Sequence, residues 1–325
     1  MSMNKDGKHV IPQISLNDGS HMPAIGLGIL GTDNEEAKNI VTDAINAGYR
    51  MFDTAALYGN EIGVGRGITE SEIPRSDLFV ITKLHEDIDS YDSTLTAFDS
   101  SMTKLGLEYL DLYLIHWPQP KMGKYPEIWK AFEEIRNSGR VKSIGVSNFT
   151  EEQLTILSKE SSVIPSVNQV ELHPTFQQIL LRQFNHKLGI VTQAWSPIGG
   201  QGQFKSLLNI FLGPDDENKI LIGLGKKHNL SPKAMRQYLE ALPVGTVLSN
   251  QILDAIGKKH GKSIAQIVLR WHVENGVVPL PKTSKVERLS ENIEVFDFAL
   301  DEEDHLEISQ LESGLRTGFD PELFN

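Results

Sequence analysis

The stretch DNEEAKNIVTDAINAGYRMFD, residues 33–53, holds one helix and one strand in immediate succession, and its reading decides the fold. Asp33 followed three residues later by Glu36 has the spacing of a capping box, in which the side chains satisfy backbone N–H groups that a first helical turn leaves open. Ile40, Val41, Ala44 and Ile45 recur at helical spacing, so one face of the helix is apolar. Gly48 then closes it, because a residue without Cβ enters the left-handed conformation cheaply. The apolar run RMFD follows at once and ends on Asp53.

Outward from this unit the alternation repeats. Apolar runs begin at AIGLG (24), RMFD (50), LFVITK (78), DLYLIH (111), KSIGV (142), SVNQV (166), IVTQAW (190) and VVPL (277), with helical patterns between them. Their near-continuous apolar character suits parallel strands covered on both faces. Eight such units predict a (β/α)8 TIM barrel, preceded by an N-terminal β-hairpin in ISLNDGSHM, whose Asn-Asp-Gly turn joins its two arms. The rival is a doubly wound open sheet, which carries a G-x-G-x-x-G turn after its first strand. GLGILG, 26–31, fits that pattern on paper, but no second strand ends on a convincing ribose-binding acid. The glycines read better as relief of crowding at the end of a barrel strand.

A chain of 325 residues suits one barrel domain over 1–325, and 39% hydrophobic residues suffice for a sizeable core. The absence of cysteine excludes disulfides, thiol catalysis and cysteine-based metal sites, and agrees with a cytoplasmic location. No metal-ligand cluster is evident, and no apolar run is long enough to cross a membrane. A net charge of −12 argues against nucleic-acid and anionic-membrane partners, so an anionic ligand needs a local cluster of cations. A monomer is expected.

One interval breaks the rhythm. Between the runs at 190 and 277 there is room for an extra helical unit, and residues 201–247 read as an insertion between the seventh strand and its following helix. NKILIGLGKKHNLSPKAMRQYL (218–239) resembles NQILDAIGKKHGKSIAQIVLRW (250–271), either through an internal duplication or because two lysine-rich helix ends look alike. The insertion leaves the strand at the catalytic face of a barrel, where it is either a substrate lid or a self-contained knob.

Barrel enzymes place their chemistry at the C-terminal ends of the strands. Those ends carry Asp53, Lys83, His116, Ser147 with Asn148, Gln169, Trp195 with Ser196, and PKTSKVERLSEN (281–292), while Tyr58 lies just past Asp53 at an expected helix start. A phenol has an ordinary pKa of about 10 and becomes a useful acid when a cation stabilises its anion. Lys83 can supply that cation, Asp53 can hold the lysine, and His116 can donate a hydrogen bond to the same substrate oxygen. Singly, each also fits a solvated loop charge or a satisfied core side chain.

At this point the chain resembles the aldo-keto reductases, most closely prokaryotic members of the diketogluconate reductase type. The resemblance rests on FDTAALYGNE, ITK, LIHWP, GVSNF, NQVELHP, AWSPIGG and PKTSKVERLSENIEVFDF, and covers nearly the whole chain outside the insertion. It implies a catalytic tetrad of Asp53, Tyr58, Lys83 and His116, and an NADPH-dependent reduction of an aldehyde or ketone. The cofactor would lie extended across the barrel mouth. Ser147, Asn148 and Gln169 would hold its carboxamide, and Trp195, followed by Ser196 and Pro197, would stack on the nicotinamide. Many members have tyrosine where Trp195 stands. Lys282, Thr283 and Arg288 would grip a 2′-phosphate, and Glu291 with Asn292 the adenine. In the substrate pocket Trp117 forms one wall, while Leu30 and His85 occupy positions often aromatic in relatives. Two other functions use the same residues: a Schiff-base aldolase with Lys83 as nucleophile, and a non-enzymatic cofactor-binding accessory protein.

Overall fold

The computed structural model describes residues 11–200, 231, 233, 247–314 and 316–322. The proposed insertion at 201–247 therefore lies almost entirely outside the described residues, as do the readings of it as a lid or a duplication.

The chain opens with an antiparallel hairpin of β1 (Gln13–Ser15) and β2 (His21–Pro23). Its turn is the expected Asn-Asp-Gly, with Gly19 at φ 87°, a left-handed value that glycine adopts without a Cβ penalty. Asp18 stitches the hairpin to the barrel floor by accepting from Ser20 Oγ at 2.7 Å and from Ser166 Oγ at 2.9 Å. Leu16 and Met22 complete the plug, packing into the interior cluster of the barrel.

Eight parallel strands follow, each hydrogen-bonded to the next in chain order: β3 (Leu27–Gly28), β4 (Met51–Asp53), β5 (Phe79–Leu84), β6 (Leu110–Ile115), β7 (Val141–Ser147), β8 (Val167–Glu171), β9 (Val191–Trp195) and β10 (Val277–Leu280). The two edges meet where Gly26 N and Gly28 N donate to the carbonyls of Pro279 and Pro281 at 3.1 and 3.0 Å. A Cβ on Gly26 would sit 2.8 Å from both Leu280 Cδ2 and Met51 Cε, and one on Gly28 would sit 3.3 Å from the Leu280 carbonyl. GLGILG thus serves the near closure of the barrel.

Helices α1 (Asn34–Ala47), α2 (Glu61–Thr69), α3 (Tyr91–Leu105), α4 (Tyr125–Asn137), α5 (Glu151–Glu160) and α6 (Ile179–Lys187) surround the sheet. Further along the chain come α7 (Gln251–His260), α8 (Ile264–Glu274), α9 (Val286–Ile293) and α10 (Glu302–Ser309). In α1 the Asp33 side chain accepts from Glu36 N at 2.9 Å, and Gly48, at φ 112°, donates to the Ala44 and Ile45 carbonyls. Only the Asp33 half of the expected box is among the bonds that cap this helix. Such a cap is worth about 1 kcal/mol, whereas burying each of Ile40, Val41 and Ile45 contributes roughly 1.5–3 kcal/mol, so packing dominates. None of the described helices is long and apolar enough to cross a membrane.

The period of two along each strand sorts the side chains. Phe79 and Ile81 of β5 join Met51, Leu112, Leu114, Val167, Val278 and Leu280 in the barrel interior, while Val80, Tyr113, Ile144 and Val146 face the helices. Counting two residues on from these interior positions reaches Asp53 from Met51, Lys83 from Ile81, His116 from Leu114, Gln169 from Val167 and Lys282 from Leu280. The apolar filling therefore stops one layer below the strand ends, and a polar layer sits on top of it.

Candidate active site

At the centre of that layer Lys83, with no exposed surface, donates to both oxygens of Asp53 at 2.7 and 2.6 Å and to the Thr54 carbonyl at 3.1 Å. Asp53 also accepts from Gln169 Nε2 at 2.9 Å, and the same amide donates to Gln193 Oε1 at 3.1 Å. The Lys83 ammonium lies 5.3 Å from the centroid of the Tyr58 ring, and His116 meets that ring edge-on with centroids 5.8 Å apart. Tyr58 stands on a single 3-10 turn, Ala56–Tyr58, and α2 starts only at Glu61, later than the sequence suggested.

The state of the phenol differs from the expectation that Lys83 would lower its pKa. Burial pushes Tyr58 well above its ordinary value, and the Asp53 and Glu86 carboxylates add to the rise. The lysine charge is spent on Asp53, whose two oxygens it contacts directly. Burial likewise draws the Lys83 pKa down, against the pull of Asp53. In this site Tyr58 therefore holds its proton at neutral pH.

From Tyr58 and His116 a cleft of about 560 Å³ runs past Trp195 to the segment after β10. Asp53, Tyr58, His116, Ser147, Asn148, Gln169, Trp195, Ser196, Pro197, Lys282, Thr283, Arg288, Glu291 and Asn292 all reach it, with Leu30 and Trp117 on its walls. Lys83 does not line the cleft, because it sits behind Asp53 and Tyr58. His85 is not brought there either. Its Nδ1 lies 2.6 Å from Asp87 Oδ1, and it borders a separate small recess beside Trp117.

The residues expected to hold a carboxamide hold one another in this structure. Ser147 Oγ donates to the Gln169 carbonyl at 2.8 Å, and Asn148, in the left-handed region at φ 64°, donates through Nδ2 to the His116 carbonyl at 3.0 Å. Asn148 Oδ1 accepts from the Trp195 indole N–H at 2.8 Å, a bond that tyrosine at this place has no N–H to make. The tryptophan thus ties a flat aromatic face to the amide beside it.

Several contributors carried no motif. Glu86 places Oε1 2.5 Å from His116 Nδ1. Phe319, from the C-terminal tail, lines the cleft and meets Trp117 edge-on at 6.3 Å between centroids. His272 of α8, fully buried, has Nε2 2.9 Å from the Pro197 carbonyl and so steadies the loop after β9. Burial holds its pKa down at about 3, against an ordinary 6.5. An unfolded chain takes up this proton as pH falls through 6.5, whereas the folded one does so only near 3, so stability is lost progressively across that window. Urea unfolding at pH 7 and pH 5 should show a total loss of about 2 kcal/mol from this group. His272→Gln, which keeps an N–H for Pro197, should flatten that dependence; an unchanged slope would assign it to other groups.

Residues 24–313 match the model of the Aldo/keto reductase family. The chain is 43% identical over 310 residues to a morphine 6-dehydrogenase of Pseudomonas putida, covering 95% of this chain and 94% of the relative. Among solved structures, an aldo/keto reductase of Brucella melitensis shares 42% identity at a TM-score of 0.77, covering 93% of this chain and all of the other. An aldo-keto reductase of Bombyx mori in complex with NADP shares 34% identity at a TM-score of 0.77 over 94% of each chain.

Proposed function

Because the chain belongs to the Aldo/keto reductase family, we propose that it reduces an aldehyde or ketone to an alcohol at the expense of NADPH, with Tyr58 as the general acid. The observation that carries this reading is the placement of a protonated Tyr58 and His116 side by side on the cleft, with the Lys83–Asp53 pair directly behind the phenol. A carbonyl oxygen in that corner meets two donors at once.

The cleft suits an extended dinucleotide. At one end Trp195 offers a partly exposed ring beside Ser147, Asn148 and Gln169, whose side chains supply the donors and acceptors that a carboxamide needs. At the other end stand Lys282, Thr283 and Arg288, with Glu291 and Asn292 beyond. Among the described residues no carboxylate lies within ion-pair distance of Lys282 or Arg288, whereas Lys259, Lys262 and Arg270 nearby are all paired. An uncompensated ammonium and guanidinium at a cleft end of an acidic protein suit a phosphate. When bound, the reduced nicotinamide supplies the hydride that reaches the carbonyl carbon.

The protein's own part is the proton. As charge builds on the carbonyl oxygen, Tyr58 gives up its phenolic proton and His116 steadies the oxygen by a hydrogen bond. The phenolate left behind is then opposed by the Lys83 ammonium, and Asp53 and the Thr54 carbonyl keep that ammonium charged and in place. The aldolase reading fits less well, since a Schiff-base lysine must present a free amine, whereas Lys83 has no exposed surface and is paired with a carboxylate. Oxidation of NADPH across a panel of aldehydes, ketoses, diketones and ketosteroids tests the proposal. Tight cofactor binding without turnover on any of them would favour the accessory-protein reading.

Cofactor choice gives a second test. Losing one charge-assisted contact costs about 1.5–3 kcal/mol, roughly tenfold to a hundredfold in affinity. Lys282→Ala and Arg288→Ala should therefore weaken NADPH by that factor and NADH little, as measured by fluorescence titration. Equal losses for the two cofactors would show that these residues do not read the 2′-phosphate.

A further inference from the structure

We propose that Glu171 is the clasp of a detachable wall of the substrate site: it holds the C-terminal tail so that Phe319 closes the cleft, and thereby selects carbonyl compounds bearing a bulky apolar group. This rests on the reductase reading given above.

Glu171 is the last residue of β8 and faces the barrel interior two positions beyond Gln169, with no exposed surface. A carboxylate buried so completely is costly unless donors surround it. The donors come almost wholly from the tail. Thr317 contributes its backbone N–H at 2.5 Å and its hydroxyl at 2.7 Å, and Gly318 N lies 3.2 Å from both oxygens. His173 Nε2 lies 3.2 Å away, and the Arg316 guanidinium approaches to 4.0 Å. Because a carboxylate only accepts, His173 donates to it through Nε2, and its Nδ1 lies 2.9 Å from the Thr175 hydroxyl. Burial alone would raise the carboxyl pKa, yet His173 first, then the Arg316 charge and the Thr317 hydroxyl, hold it below its ordinary value, so Glu171 is charged.

The clasp sets the position of the next two residues. Gly318 is drawn so close to Trp195 that a Cβ there would lie 2.3 Å from ring atom Cη2. Phe319, 2% exposed, then falls against Trp117, which follows His116 in sequence. A substrate with its oxygen at Tyr58 and His116 has its remaining bulk directed along Trp117 towards Phe319. A two-carbon aldehyde is too short to use a wall two ring contacts removed from His116.

Glu171→Gln tests this, since the amide keeps the shape but turns an N–H donor towards the donors of the tail. The tail itself reports on the clasp without any chemistry, because trypsin cutting after Arg316 releases residues 317–325 and follows the population of the open form. Cleavage at Arg316, read by mass spectrometry, should accelerate in Glu171→Gln by about tenfold or more, the factor that corresponds to loss of a charge-assisted bond. With NADPH saturating, kcat/KM for a two-ring aryl ketone should fall by about tenfold, while that for acetaldehyde changes less than about threefold. Thr317→Val, which removes a single hydroxyl donor, should move both readouts in the same direction by smaller factors, and serves if Glu171→Gln fails to fold. Unchanged cleavage at Arg316, or equal losses for the two carbonyls, would overturn the clasp. Absence of reduction by the unaltered protein would overturn the reductase reading and leave the cleavage test standing.

Discussion

Tyr58→Phe is expected to abolish carbonyl reduction while leaving NADPH affinity within about twofold. General acid catalysis of this kind contributes roughly 10²–10⁴-fold, and the phenol has no substitute among the groups on the cleft wall beside it. Its described neighbours with transferable protons are Lys83, which does not line the cleft, and His116, whose Nδ1 lies 2.5 Å from Glu86 Oε1. The ring itself is kept in Phe, so its contact with Lys83 and its edge-on contact with His116 survive. Single-turnover kinetics with preformed enzyme–NADPH complex separates the chemical step from binding. Retention of near-normal turnover would remove Tyr58 from the mechanism.

Lys83→Met is expected to lose activity to a similar degree and, unlike Tyr58→Phe, to destabilise the fold. The substitution leaves Asp53 4% exposed with no cation against it, and stranding one partner of a buried pair typically costs about 3–5 kcal/mol. The pair is positioned by the sheet itself, since Asp53 and Lys83 end adjacent strands β4 and β5 and face the same interior. Adding Asp53→Asn to Lys83→Met should recover most of the stability, because the stranded charge is gone, but none of the activity, because the phenolate would still lack its cation. Urea denaturation read alongside NADPH oxidation distinguishes the two effects. If the double variant remained as unstable as Lys83→Met, the cost would lie in lost packing of the lysine stem.

What could be read in the sequence were features carried by period and local chemistry. The eight strands announced themselves as apolar runs, and the residue two positions beyond the last interior apolar side chain repeatedly falls in the polar layer at the strand ends, as with Ile81 and Lys83. His85 shows where that counting fails. It continues the interior parity of β5, but the strand ends at Leu84 and the chain turns away, so the imidazole points to Asp87. The protonation state of Tyr58 could not be read either, because it depends on how completely three-dimensional packing removes water and on which carboxylates lie near. Glu171 and Phe319 were hidden for another reason. The bonds between β8 and the tail span 146 residues, and GLRTGFD has neither a hydrophobic period nor a motif to announce them.

The meeting of Gly26 and Gly28 with Pro279 and Pro281 has a bearing on the order of events during synthesis. These bonds tie the first barrel strand to the last, so the ring is a contact of very high sequence separation whose loop-closure entropy is met late. The Asp53–Lys83 pair joins neighbouring strands and needs only the first third of the chain. Lys282 and Arg288 follow the closing strand directly, and Phe319 follows them. On the proposed reading, a chain still on the ribosome thus carries Asp53, Tyr58, Lys83 and His116 well before Lys282, Arg288 and Phe319 are made.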